Sequence, residues 1–266
     1  MIGFDMTSIL FFLAALPVII ILMIVYHKDR KKEPFTLLIQ FFLLGIVSCF
    51  LVIGVSDILE VFFPFMEFTK DSSFLDILLY SFIGVALVEE LCKWVMVYFK
   101  GYNNKEFDEI FDIMVYSVFV SLGFAFFENI IYVFGTRNFT TALMRALSAV
   151  PGHACDAIFM GYYLCLAKKF QSQSKENNQL EKRNIALSII IPTILHGIYD
   201  YCLMSNIKIL VYVFIIFIII LYTISIRKLN EISSTSFNIN KKNNFCYNCG
   251  AKVEGHICSK CGAPQD

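Results

Sequence analysis

The stretch Val88-Glu89-Glu90-Leu91-Cys92-Lys93-Trp94 decides how the rest of the chain is read. It lies inside a hydrophobic run covering about residues 74–99. Such a run can cross a bilayer, which takes roughly 20 residues. One carboxylate at the bilayer centre costs about 2.5–3.5 kcal/mol on insertion scales, and an uncompensated adjacent pair about twice that. Helical spacing puts Glu89 and Lys93 one turn apart on one face, where they can pair. Glu90 points about 100° away and needs a partner of its own or a proton. Ionisable groups at that depth are a functional-site hypothesis from the outset.

Working outward, the composition agrees with a membrane setting. Of 266 residues, 58% are hydrophobic and 17% charged, whereas a soluble domain is nearer half apolar and a quarter charged. The 22 basic and 22 acidic residues cancel, so no global basic excess points to nucleic acid. Apolar runs at about residues 7–26, 35–55, 74–99, 110–134, 143–167, 185–204 and 209–226 give seven expected spans. No Lys or Arg precedes the first run and a basic cluster follows it. That is the pattern of a retained span rather than a cleaved signal. The loops after spans 1, 3, 5 and 7 hold nearly all the Lys and Arg, while those after spans 2, 4 and 6 hold Lys70, Arg137 and Lys208. By the positive-inside rule the N-terminus is outside and the C-terminal tail cytosolic. Backbone at membrane depth must satisfy its own hydrogen bonds. The expected fold is therefore an all-α integral membrane helical bundle of about seven transmembrane helices, residues 1–226, anchored in a cell membrane. A Ser/Asn/Lys linker, 227–244, then leads to a small C-terminal zinc ribbon, 245–266.

Further polar groups lie within the later spans. Span 4 carries Glu128, one turn from Tyr132. Span 5 carries Pro151-Gly152-His153, with Asp156 three residues on as a candidate partner for the second ring nitrogen. Span 6 carries His196 and Asp200 at i,i+4, an arrangement in which the carboxylate orients the imidazole, and Gly197 between them permits a close approach. Counting residues places Glu128, His153 and His196 roughly 10–15 Å deep and the glutamate pair roughly 20–25 Å along its span. Each of these groups alone could be interhelical glue. Together, carboxylates, imidazoles and a lysine in four consecutive spans suit water activation. A Glu in a low-dielectric pocket makes a better base, and a His can donate to an oxyanion. Neither His-Glu-x-x-His nor Gly-x-Ser-Gly nor Gly-x-Gly-Asp occurs.

Glu89-Glu90-x-x-Lys93, Gly123-Phe124 leading to Phe127-Glu128-Asn129-x-x-Tyr132, Pro151-Gly152-His153 ending in Gly161-Tyr162-Tyr163, and His196-Gly197-x-x-Asp200 resemble the PrsW family. These are bacterial membrane proteases related to the Abi/CAAX-type glutamate proteases. The resemblance spans about residues 85–205 and rests on four motifs in order. It implies an intramembrane peptidase acting on membrane-protein substrates, anti-sigma factors among them. It also implies that Glu89 and Glu90 are the essential acidic pair and that Glu128, His153, His196 and Asp200 fill the other motif positions. Asp112-Ile113 departs from the Asp-Gly expected ahead of Tyr116. The motifs leave a catalytic metal open. Related glutamate proteases imply metal-free water activation, the expectation adopted here, while two His plus Glu could also hold zinc. In the expected mechanism Glu89 is the base, His153 polarises the water, and His196 steadied by Asp200 stabilises the oxyanion. Glu90, Lys93 and Glu128 tune charge, with Glu89 the ionised member of the pair.

In the tail, Cys246-x-x-Cys249-Gly250 and Cys258-x-x-Cys261-Gly262 form two knuckles. Four thiolates suit tetrahedral structural zinc, and a reducing cytosol disfavours disulfides. The ribbon is a candidate surface for a cytosolic protein partner. Cys49, Cys92, Cys155, Cys165 and Cys202 are scattered through spans as small apolar packers. Two competing functions use the same residues: a transporter or proton pathway with polar groups strung along a pore, and a silent scaffold whose tail recruits partners.

Overall fold

The computed structural model describes residues 6–67, 69, 72–173, 178–205, 207–235 and 260–261. Every regular element among the described residues is helical. Seven rods follow one another along the chain. The first two are α1 (Met6–Lys28) and α2 (Phe35–Phe62). α3 (Phe74–Leu79), a π-helical segment (Tyr80–Leu87) and α4 (Val88–Gly101) run on as the third. α5 (Asp112–Thr136) is the fourth. α6 (Phe139–Met144), a second π-helical segment (Arg145–Ala149) and α7 (Val150–Gln173) make the fifth. α8 (Asn178–Met204) and α9 (Lys208–Thr235) complete the bundle.

Among the described residues, five stretches are each long and apolar enough to cross a membrane: Thr7–Lys28, Phe35–Phe62, Asp112–Thr136, Gln179–Met204 and Lys208–Ser234. The third and fifth rods are the two interrupted by π-helical winding. They carry Glu89, Glu90, Lys93 and His153, and the winding changes just ahead of those residues. A π segment adds a residue to the turn and so re-aims every side chain after it, which is why such segments gather at functional sites.

The all-helical membrane bundle is the expected architecture, with one boundary to correct. α9 continues to Thr235, past residue 226 where the linker was placed. Leu229 and Ile232 remain in the hydrophobic core. Lys228 pairs with Glu231 at 3.0 Å and donates to the Tyr162 hydroxyl at 3.0 Å. Packing therefore carries the helix beyond its apolar run.

α5 is the central rod, with every residue from Asp112 to Ala125 buried. α2 crosses it at two glycines. A Cβ on Gly45 would lie 1.9 Å from the Val120 carbonyl oxygen, and one on Gly123 would lie 2.0 Å from that of Phe42. Small residues that bring backbones together replace hydrophobic driving force between membrane helices. Large apolar side chains on the outer faces of α1, α2 and α9 are exposed, as lipid-facing surfaces are.

A buried acidic cluster ties the α1–α2 and α4–α5 loops together. Glu33 accepts a hydrogen bond of 2.6 Å from the Tyr116 hydroxyl. Asp112 accepts from the backbone N–H groups of Asp108 and Glu109 at 3.0 and 2.8 Å. Asp29 accepts from the Glu33 N–H at 3.3 Å, and Lys31 pairs with Asp108. Asp112 is thereby a loop fastener at the start of α5, and Ile113 beside it is fully buried. Burial pushes the Asp29 carboxyl up to about 6 and that of Glu33 up to about 7.

Candidate active site

Four buried side chains from three rods converge. Glu89, Glu90, His153 and His196 each offer one ligand atom, and these atoms all lie within 4.8 Å of one another. The difference in depth expected between the glutamates and the histidines is therefore absent. Residue counting measures path along a rod, and a tilted rod spends path without depth.

Lys93 sits among these groups and is fully buried. Its ammonium lies 3.1 Å from Glu89 Oε2, 2.8 Å from Glu90 Oε1 and 3.2 Å from His153 Nδ1, and 4.0 Å from the centre of the Phe124 ring. An ammonium has three protons, and here three acceptors meet them. The expected Glu89–Lys93 pair is present, but Glu90 does not have to look elsewhere. Residues at i,i+3 are also helix neighbours, so Lys93 serves both glutamates. Glu90 gains a second partner in His196 Nδ1 at 3.0 Å. The two glutamates differ in access. Glu89 lines a cavity of about 300 Å³, and Glu90 does not.

Each imidazole has a carboxylate behind it, hydrogen-bonded at His153 and in ion-pair range at His196. His153 Nε2 is 2.9 Å from Glu128 Oε2, and His196 Nε2 is 3.4 Å from Asp200 Oδ2. Each ring has Nε2 beside a carboxylate outside the cluster and turns Nδ1 toward the cluster, and His196 Nε2 also lies 3.9 Å from Glu89 Oε2. Carboxylates behind metal-binding histidines fix ring orientation in this way. The partner expected for His153 was Asp156. Glu128 and Lys93 take both ring nitrogens instead, since α5 and the third rod both face His153. Ser121 on α5 adds a 2.8 Å bond to the His153 carbonyl.

Arg145 was not among the residues singled out from the sequence. It lies in the second π segment, pairs with Glu128 at 2.9 Å, donates from Nε to Asn129 Oδ1 at 2.9 Å and packs 4.1 Å from the centre of the Tyr132 ring. The available signal was an arginine inside an expected span, which requires an anionic partner. Asp156 also lines the cavity, buried, with Oδ1 lacking a hydrogen-bond partner among the described residues. The close approach at Gly197 is made by a side chain: a Cβ there would lie 2.5 Å from the Phe82 ring. Cys49, Cys92, Cys155, Cys165 and Cys202 are buried, as packers should be. Of the ribbon cysteines, Cys246, Cys249 and Cys258 lie outside the described residues.

Two carboxylates and two imidazoles presenting donors within one small volume suit a divalent ion of the zinc class, and each imidazole already has its outer carboxylate. The same cluster opens on a cavity that can hold water and part of a peptide. Convergence on one centre is the arrangement hydrolysis needs, and the pore of a transporter is not supported.

Comparison with known proteins points the same way. Residues 33–224 match the model of a family described as "PrsW family intramembrane metalloprotease". A "Protease PrsW" of Clostridioides difficile (strain 630) is 33% identical over 226 residues, covering 84% of this chain and 90% of the relative. The protein of that name from Bacillus subtilis (strain 168) is 32% identical over 223 residues, 83% of this chain and 94% of the relative. One from Geobacillus kaustophilus (strain HTA426) is 34% identical over 197 residues, 71% of this chain and 77% of the relative. No solved structure matches the chain.

Proposed function

The chain belongs to the PrsW family of intramembrane proteases, and from that premise we propose that Glu89, Glu90, His153 and His196 are the donors of a divalent metal ion at the centre that hydrolyses peptide bonds of membrane-protein substrates. The observation that carries this is the convergence of those four donor atoms within 4.8 Å, beside a cavity that Glu89, His153 and His196 line. It departs from the metal-free mechanism expected from the sequence. A bound divalent ion would supply positive charge that polarises a carbonyl and acidifies a water.

The chain's own residues do the rest. Glu89, at the cavity wall, would give one carboxylate oxygen to the ion and use the other as the base, taking one proton of a water whose oxygen bonds to the scissile carbonyl carbon and handing it to the amine nitrogen as the C–N bond breaks. Glu90 is sealed away from the cavity and held by Lys93 and His196, so its part is to fix the donor set. Glu128 and Asp200 set the two imidazole rings, and Arg145 holds Glu128 in place. Val85, Leu195, Phe214 and Leu221 add apolar cavity wall, which suits a substrate segment arriving from lipid.

The protein is a bacterial membrane protein by its family and its helices. Its loop charges support an N-terminus outside and a tail in the cytosol. In that tail Cys246, Cys249, Cys258 and Cys261 form a structural zinc ribbon, a surface for a cytosolic partner, following a linker that begins beyond α9. Mapping of new protein N-termini in host membranes tests the central reading. Expression of the unsubstituted chain should create termini within or beside substrate spans, and Glu89→Gln with Glu90→Gln should erase them. Their persistence in the double variant would overturn it.

A further inference from the structure

We propose that Lys93 is a tethered cation that keeps the metal position closed, and that it withdraws to Asp156 when a divalent ion enters. This rests on the reading of Glu89, Glu90, His153 and His196 as a donor set, and it adds a control on how that set is loaded.

Three of the four donors already point at one ammonium, at 3.1, 2.8 and 3.2 Å. Zinc–nitrogen and zinc–oxygen distances are about 2.0–2.2 Å. An ion bound to the same three atoms would sit hard against Lys93 Nζ. Two cations at that range, among buried side chains, repel strongly, so the donors serve one or the other. The ammonium is bonded to its acceptors and stacked on Phe124, so it holds its place until something stronger arrives.

Asp156 supplies the destination. It is buried and lines the cavity, and its Oδ1 has no hydrogen-bond partner among the described residues. A buried carboxylate with an unmet acceptor is costly to leave so, and a four-carbon lysine stem can re-aim its ammonium while the backbone stays fixed. Asp156 receives the ammonium as a carboxylate, any proton it carried leaving to water in the cavity, and each cation then keeps an anion beside it. Before it, the lysine cation faces the glutamate pair. Afterwards the divalent ion faces the pair and the lysine faces Asp156.

The test is Co²⁺ binding to the metal-stripped full chain in lipid nanodiscs, with Cys246, Cys249, Cys258 and Cys261 changed to Ser so that only the membrane site reports. Lys93→Met should bind Co²⁺ at least about tenfold more tightly than the parent. Lys93→Gln, checked by thermal melting, stands in if the methionine variant does not fold. Asp156→Asn should weaken binding about tenfold when Lys93 is present and less than about twofold when it is Met, the coupling that a double-mutant cycle isolates. Equal affinities with and without Lys93, or an equal Asp156→Asn loss in both backgrounds, would overturn the Lys93 proposal and leave the donor set standing. Absence of Co²⁺ binding even in the Lys93 variants would overturn both.

Discussion

Among the described residues two groups of buried carboxylates stand out, and they are built differently. At one, Glu89 and Glu90 share an ammonium, stand beside two imidazoles and open on a cavity. At the other, Glu33 and Asp112 are closed off by a tyrosine hydroxyl and two backbone N–H groups. The second group fastens two loops. Among the described residues it has no imidazole partner, and its carboxylates do not form a metal-sized donor set as the first group's do. Burial of acid is thus no mark of a site in itself. Convergence of different donor types on one point beside a cavity is what distinguishes the first group. The two lie at opposite ends of α5: Glu128 and Asp112 are roughly 24 Å apart along it at 1.5 Å per residue. They can therefore be broken separately.

The largest effect is expected at the first group. Glu90→Gln or His196→Ala should lower cleavage of a reconstituted membrane substrate at least about 10³-fold, since each removes a donor from the centre. The outer carboxylates come next. Glu128→Gln and Asp200→Asn should each lower metal affinity about 10–100-fold, the usual effect of losing a carboxylate behind a ligand histidine. Equilibrium dialysis against zinc in the tail-substituted chain measures this. If Asp112→Asn lowered metal affinity as much, the distinction between the two groups would collapse.

At the second group the effects should be on stability alone. Tyr116→Phe leaves the buried Glu33 carboxyl without its donor and should destabilise by about 1–3 kcal/mol, read as a lower Tm with cleavage per folded molecule retained. The smallest effect is on pH dependence. The folded-state Asp29 and Glu33 carboxyls titrate near 6 and 7, above their unfolded values. Between the unfolded and folded values the folded state binds more protons, so stability is greatest in acid and falls as pH rises toward 7. The groups facing this pair are Lys31, Lys32, Glu106, Asp108, Glu109, Asp112 and Tyr116. A melting series from pH 4.5 to 7.5 should show the fall, by about 2–4 °C for each kcal/mol lost, and Glu33→Gln should flatten it.

Much of this was legible in the chain because membrane helices announce themselves. Seven apolar runs gave seven rods, since backbone in lipid has few alternatives to helix. The ionisable residues inside them gave the site, since such groups are too costly to be there idly. What stayed hidden depends on contacts between rods. Nothing local to residues 80–87 signals π-helical winding. Periodicity named Asp156 as the partner of His153, while the actual partner, Glu128, lies on another rod. Arg145 was visible as a residue but not as the anchor of Glu128. Lys93 was read as the partner of one glutamate because i,i+4 was counted and i,i+3 was not. The Glu33–Tyr116 bond joins residues 83 apart in sequence, beyond any helical spacing rule.

The central claim is that Glu89, Glu90, His153 and His196 form one metal centre. Anomalous X-ray diffraction at the zinc edge, from zinc-soaked crystals of the full chain, addresses it most directly. A peak is expected about 2.0–2.2 Å from donor atoms of those four residues, with the Lys93 ammonium moved off them toward Asp156. Zinc in the cysteine tail alone, with Lys93 still bonded to Glu89, Glu90 and His153, would contradict it.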